Sequence, residues 1–100
     1  MTIRHVVAWK LAAQDVETRA EHAAEVSRRI QGLVGVVPSI RALSIGPNTA
    51  YPEVNGDVAV VADFDDLAGL DEYQVHPAHQ EVAAYVRSVV ADRIAVDFEV

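Results

Sequence analysis

The sequence predicts an α+β domain in which a four-stranded antiparallel sheet carries its helices on one face. Three observations predict it. The apolar residues change period along the chain, giving the order β-α-β-β-(short α)-α-β. The first and third strand segments are apolar on both sides in their middles, as central strands are, while the last alternates as an edge strand does. No internal repeat, low-complexity tract or linker interrupts the 100 residues, so residues 1–100 are expected to form one domain around one core.

Residues 3–11 read as the first strand, with Ile3, His5, Val7, Trp9 and Leu11 on one side and Arg4, Val6, Ala8 and Lys10 on the other. Residues 15–33 read as a helix that Asp15 caps. Glu17 and Glu21 suit its positive end, and Arg28 and Arg29 its negative end. Val16, Ala20, Ala23, Ala24, Ile30 and Leu33 form its expected apolar stripe, and Gly32 and Gly35 offer a stop. His22 falls at the stripe's edge and reads as a surface residue.

A second strand is expected over about 39–46, closed by Gly46-Pro47-Asn48. The Pro- and Asn-containing stretch 47–56 reads as a loop long enough to act as a flap or dimer arm. Residues 57–64 give the third strand, and Asp65-Asp66 can cap a short helix through about Tyr73. Pro77 disfavours helix at His76 and suits the first position of a new helix, expected to run to about Asp92 with Val82, Tyr85, Val86, Val89 and Val90 inward. The last strand, 93–100, sets Ile94, Val96, Phe98 and Val100 against Ala95, Asp97 and Glu99.

This order usually gives the ferredoxin-like arrangement, with the first and third strands central. Helices then cover one sheet face, and the other bares Val6, Ala8 and their neighbours, or the opposite set. A bare apolar patch of that size marks a partner surface. A second copy of the chain is its natural cover, so a two-fold homodimer with facing sheets, a dimeric α/β barrel, is expected.

Composition narrows the function. Eight basic against fifteen acidic residues give a net charge of −7, with no basic patch to hold nucleic acid or an anionic membrane. The absence of cysteine excludes disulfides, thiolate catalysis and zinc–thiolate sites. No apolar run reaches the roughly eighteen residues needed to span a bilayer, and Met1-Thr2-Ile3-Arg4-His5 lacks a signal segment, so a cytoplasmic protein is expected. Richness in Ala and Val fits a bacterial source of GC-rich coding. No glycine-rich phosphate cradle or nucleophile elbow occurs.

The chemistry-bearing stretch is Tyr73-Gln74-Val75-His76-Pro77-Ala78-His79. His79 falls in the first turn of the helix that Pro77 opens, where the positive dipole end disfavours imidazolium. A neutral imidazole there can accept a proton. It can equally be a structural histidine bonded to a carbonyl. His5, on an apolar strand face, reads also as a satisfied core histidine, His76 as a cap, and Tyr73 as a seal over the helix junction. His-Pro-Ala-His has no carboxylate at ligand spacing, so no side-chain metal site is expected.

Ile3-Arg4-His5-Val6-Val7, Val37-Pro38-Ser39-Ile40, Gly56-Asp57, the Tyr73–His79 stretch and Val96-Asp97-Phe98 together resemble the stress-responsive dimeric α/β-barrel (Dabb) family. The resemblance spans nearly the whole chain and implies the same fold and dimer. His5, Tyr73 and His79 are similar to residues of the plant polyketide cyclase branch, olivetolic acid cyclase. That likeness implies a C2–C7 aldol condensation of a linear poly-β-ketone without metal or organic cofactor. His79 would be the base, Tyr73 would assist, His5 would orient substrate, and Val7, Trp9, Val82 and Val86 would supply apolar wall. The aromatic residues that the cyclase carries on its first helix are here Glu21, His22, Ala23 and Ala24. Some relatives hold a divalent cation on main-chain oxygens in the region matching Val34 to Ile40.

Three functions follow as expectations: a cofactor-free enzyme or binder of a small apolar carbonyl compound, a non-catalytic stress-associated homodimer, and a cofactorless monooxygenase. The first and third need an open cavity where His5, Tyr73 and His79 converge. The second needs that cavity filled.

Overall fold

The computed structural model describes residues 1–100. In chain order the elements are β1 (Ile3–Leu11), α1 (Val16–Gln31), β2 (Ala42–Pro47), β3 (Val58–Phe64), α2 (Leu67–Val75), α3 (Pro77–Val89) and β4 (Val90–Glu99). The strands form one antiparallel sheet in the order β2-β3-β1-β4. The two segments with apolar middles on both sides are therefore the central pair, in a ferredoxin-like α+β fold.

Local chemistry sets the helix ends. The Asp15 carboxylate accepts from the Thr18 N–H at 2.9 Å and opens α1. The Asp66 carboxylate accepts from the Gly69 N–H at 2.8 Å and opens α2. His76 ends α2 and starts α3, its Nδ1 accepting from the Ala78 N–H at 3.1 Å while Pro77 takes the first helical position. Gly56 packs closely on β1: a Cβ there would stand 3.1 Å from the Trp9 carbonyl oxygen, a tight contact. That close approach lets Asp57 tie β3 to β1, its N–H donating to the Trp9 oxygen at 2.8 Å and its carboxylate accepting from the Leu11 N–H at 2.7 Å.

The apolar stripe of α1 differs from the expected one. Ala23, Val26, Ile30 and the following Leu33 are buried, whereas Val16, Ala20 and Ala24 are exposed. The packed face is the 23-26-30-33 row, and Val16, the first residue of α1, is exposed. β2 starts at Ala42 rather than 39, because Leu33 to Ile40 is taken up by turns. α3 stops at Val89, short of Asp92, and Val90 opens β4 with no intervening loop.

All three helices pack on one sheet face. Val7, Trp9, Leu11, Val58 and Val60 meet α1 and α3 there. Ile3, Ala62 and Phe64 meet Leu70 and Tyr73 of α2, with Leu33 and Val37 beside them. Each fully buried Val, Leu, Ile or Phe among them contributes about 1.5–3 kcal/mol of transfer free energy.

The opposite sheet face has no cover in the chain. Val6 lies between Val61 and Val96, and Ala8 between Ala59 and Ile94. Ile94, Val96 and Phe98 of the β4 alternation all point this way and are exposed. At the patch's edge the Arg4 guanidinium grips Asp63 through bonds of 2.8 and 3.0 Å and holds that carboxyl below the usual range. No helix is long and apolar enough to cross a membrane.

Candidate functional site

A cleft of about 320 Å³ opens on the helix side of the sheet, between α3, the end of α2 and the β1–β4 pair. Five of the expected residues line it: Tyr73, His79, Trp9, Val82 and Val86. Its spacing along α3 follows from helical period, since His79, Val82, Ala83, Val86 and Arg87 recur at intervals of three and four. Ile30 and Gln74 close one side. Arg93 stands on β4 in register with Trp9.

Tyr73 comes from the last turn of α2 and is buried. Its ring centroid lies 4.2 Å from that of His79, 6.0 Å from that of His5 and 5.1 Å from that of Phe64. The three expected catalytic residues thus form one run of touching rings, with Tyr73 in the middle. The Tyr73 hydroxyl has no hydrogen-bond partner in the protein. Burial pushes its pKa up to about 12, so it is a hydrogen-bond donor and not a base at neutral pH.

His79 is set for the complementary role. Its Nδ1 lies 3.3 Å from the Gln74 carbonyl oxygen, which can only accept, so Nδ1 carries the proton and Nε2 keeps its lone pair. The structural and the chemical reading of His79 therefore describe its two nitrogens. Burial is the main cause of a pKa lowered from the ordinary histidine value. The charges of His5, Arg87 and Arg93 push the same way, and the Gln74 bond opposes them. Burial thus favours the neutral imidazole.

His5 and Val7 are placed differently from the other expected site residues. His5 does not line the cleft, and its Nδ1–H donates to the Asp97 carboxylate at 2.5 Å. Val7 packs in the core, 1% exposed, and does not line the cleft. Val7 and Trp9 share the helix-side face of β1, and of the two only Trp9 lines the cleft. Arg87 was within reach of helical periodicity from His79. Arg93 and Asp97 depend on the β1–β4 register, for which the sequence holds no local signal.

The arrangement can hold an apolar body against Trp9, Val82 and Val86, take a proton at His79 Nε2 and donate a hydrogen bond from Tyr73. A second hollow of about 440 Å³ lies on the bare sheet face beside Ala8, Gly46 and Ala59, and it carries no titratable side chain.

Residues 3–100 match the family model described as Stress responsive A/B Barrel Domain. A dimeric ferredoxin-like protein of unknown function from Thermobifida fusca is 30% identical, with a TM-score of 0.85 over 100% of this chain and 92% of that one. A dimeric protein of unknown function and ferredoxin-like fold from Bacteroides fragilis is 25% identical, with a TM-score of 0.90 over 99% and 96%. The fold is shared more distantly with a hydroxynitrile lyase from Passiflora edulis, at 13% identity and a TM-score of 0.78 over 97% and 91%. Among curated proteins the comparison finds no sequence match.

Proposed function

Since this chain belongs to the stress-responsive A/B barrel domain family, we propose that it is a homodimer whose bare sheet faces meet and whose clefts bind and transform a small apolar carbonyl compound. The observation that carries the chemical half of this reading is the Tyr73–His79 contact at the apolar cleft, with one side chain poised to donate and the other to accept. An open cleft favours it over a scaffold whose cavity is filled.

The reaction is polyketide cyclase-like. His79 Nε2 removes the proton between two carbonyls of a linear poly-β-ketone, and Tyr73 O–H hydrogen-bonds the enolate oxygen. The carbanion attacks a distant ketone carbon, a C–C bond forms, the resulting alkoxide takes the proton back from His79, and loss of that hydroxyl as water followed by enolisation gives the aromatic ring. The Tyr73 hydroxyl counts most where negative charge develops. His5, tied to Asp97, supports the Tyr73 ring from below and acts through it rather than on substrate.

A linear tetraketide thioester incubated with the protein tests this, with formation of the aromatic product followed by absorbance. The wild type is expected to accelerate cyclisation over buffer, and His79→Gln to return it to the buffer rate with fold and dimer intact. Equal acceleration by wild type and His79→Gln would remove His79 from the mechanism.

A further inference from the structure

We infer that the cleft takes a carboxylate-bearing ligand, an apolar keto acid or similar, whose anionic end is held by Arg87 and Arg93. This rests on the reading that the cleft is the binding site, and it narrows the ligand class.

The distribution of cations carries it. The chain has eight lysines and arginines. Arg4 is paired with Asp63, Arg28 and Arg29 with Glu25, and Arg41 with Asp65. Arg19 donates to the Ala13 and Gln14 carbonyls at 3.0 and 3.2 Å. That leaves Lys10, Arg87 and Arg93 with neither a carboxylate nor a carbonyl partner, and both arginines of this set line the cleft. In a chain of net charge −7 with fifteen acidic residues, partners are plentiful, yet none reaches these two.

The two come from different elements, Arg87 from α3 two turns beyond His79 and Arg93 from β4 opposite Trp9. Two guanidinium forks on helix and strand match a planar carboxylate, which they can grip through paired N–H bonds. The sequence has no glycine-rich cradle of main-chain N–H groups of the kind phosphate sites use, so a carboxylate fits better than a phosphate. Trp9, Val82 and Val86 would hold the apolar body, and the tyrosine–histidine pair would face the ligand's carbonyl. The arginine charges also disfavour a proton on His79, so a bound carboxylate would offset a field that acts at the base itself.

The test compares 4-phenylbutanoate with 4-phenylbutanamide, nearly equal in size and different in charge, using the intact protein. Trp9 is the sole tryptophan and lines the cleft, so its fluorescence reports binding. The carboxylate is expected to bind roughly tenfold tighter than the amide, a charged hydrogen bond discounted for partial exposure. Arg87→Gln with Arg93→Gln is expected to abolish that preference. Equal affinities in the wild type would overturn the carboxylate assignment and leave the cleft reading standing. A preference that survives the double variant would also overturn it, since the anion would then be held elsewhere. No response to either probe would overturn both. If the double variant does not fold, the wild type decides: the preference must shrink between about 0.01 and 1 M ionic strength, and a constant preference counts against the arginines.

Discussion

His79 and Tyr73 are adjacent rings with opposite protonation habits, and each habit has a measurable consequence. Burial lowers the His79 pKa from its ordinary 6.5. The unfolded chain therefore takes this proton first as pH falls, and its stability contribution has a definite sign. Above the ordinary value there is no effect. Below it, stability falls until the folded-state value is reached. Urea midpoints at about pH 7.5 and about pH 5.5 should show a larger loss for the wild type than for His79→Gln. An identical loss would mean that His79 titrates normally. Tyr73→Phe keeps the ring contacts and removes the donor, so fold stability should hardly change while any cyclisation rate falls about a hundredfold. His5 makes the reverse prediction. It is 4% exposed and bound to Asp97, so His5→Ala should cost roughly 2 kcal/mol in denaturant unfolding through a cavity and a carboxylate left without its donor. Tyr73 and His79 are legible because Pro77 fixes the phase of α3. Arg93 and Asp97 are not, because only the strand register brings them beside Trp9 and His5.

At the scale of elements, ends with a side-chain cap were readable and packed faces less so. Asp15, Asp66 and His76 are polar side chains at the starts of helical segments, and each caps a helix. The stripe expected at Val16, Ala20 and Ala24 differs from the buried row because alanine repeats at several spacings, and the buried row includes Val26. The choice among those rows is made by the sheet, not by the helix. β2 is short and starts late for a similar reason: Val36-Val37-Pro38 looks extended in sequence, yet the main chain turns there. The α2 cap is the point where element and site meet. Asp66→Ala should lower stability by about 1 kcal/mol in thermal or urea unfolding. It should also loosen the cleft, since the last turn of α2 carries both Tyr73 and the Gln74 carbonyl that fixes the His79 tautomer. Unchanged stability would mean that packing alone holds α2.

At the scale of the whole molecule the sheet divides two tasks between its faces. One face is sealed by three helices and carries the cleft at their margin. The other presents Val6, Val61, Val96, Ala8 and Ile94 with no cover from the chain. That division was legible in the two-sided apolar character of β1 and β3, since a central strand under a single helical layer must bare its second side. The bare face is also where a charge would do most harm. Val6→Glu, at its centre, is expected to leave the helix side intact and to abolish association. The most direct measurement is sedimentation velocity of the wild type and Val6→Glu at micromolar concentration. The wild type should sediment as a particle of twice the 10.8 kDa chain mass, and the variant as a monomer. A stable wild-type monomer under those conditions would contradict the account.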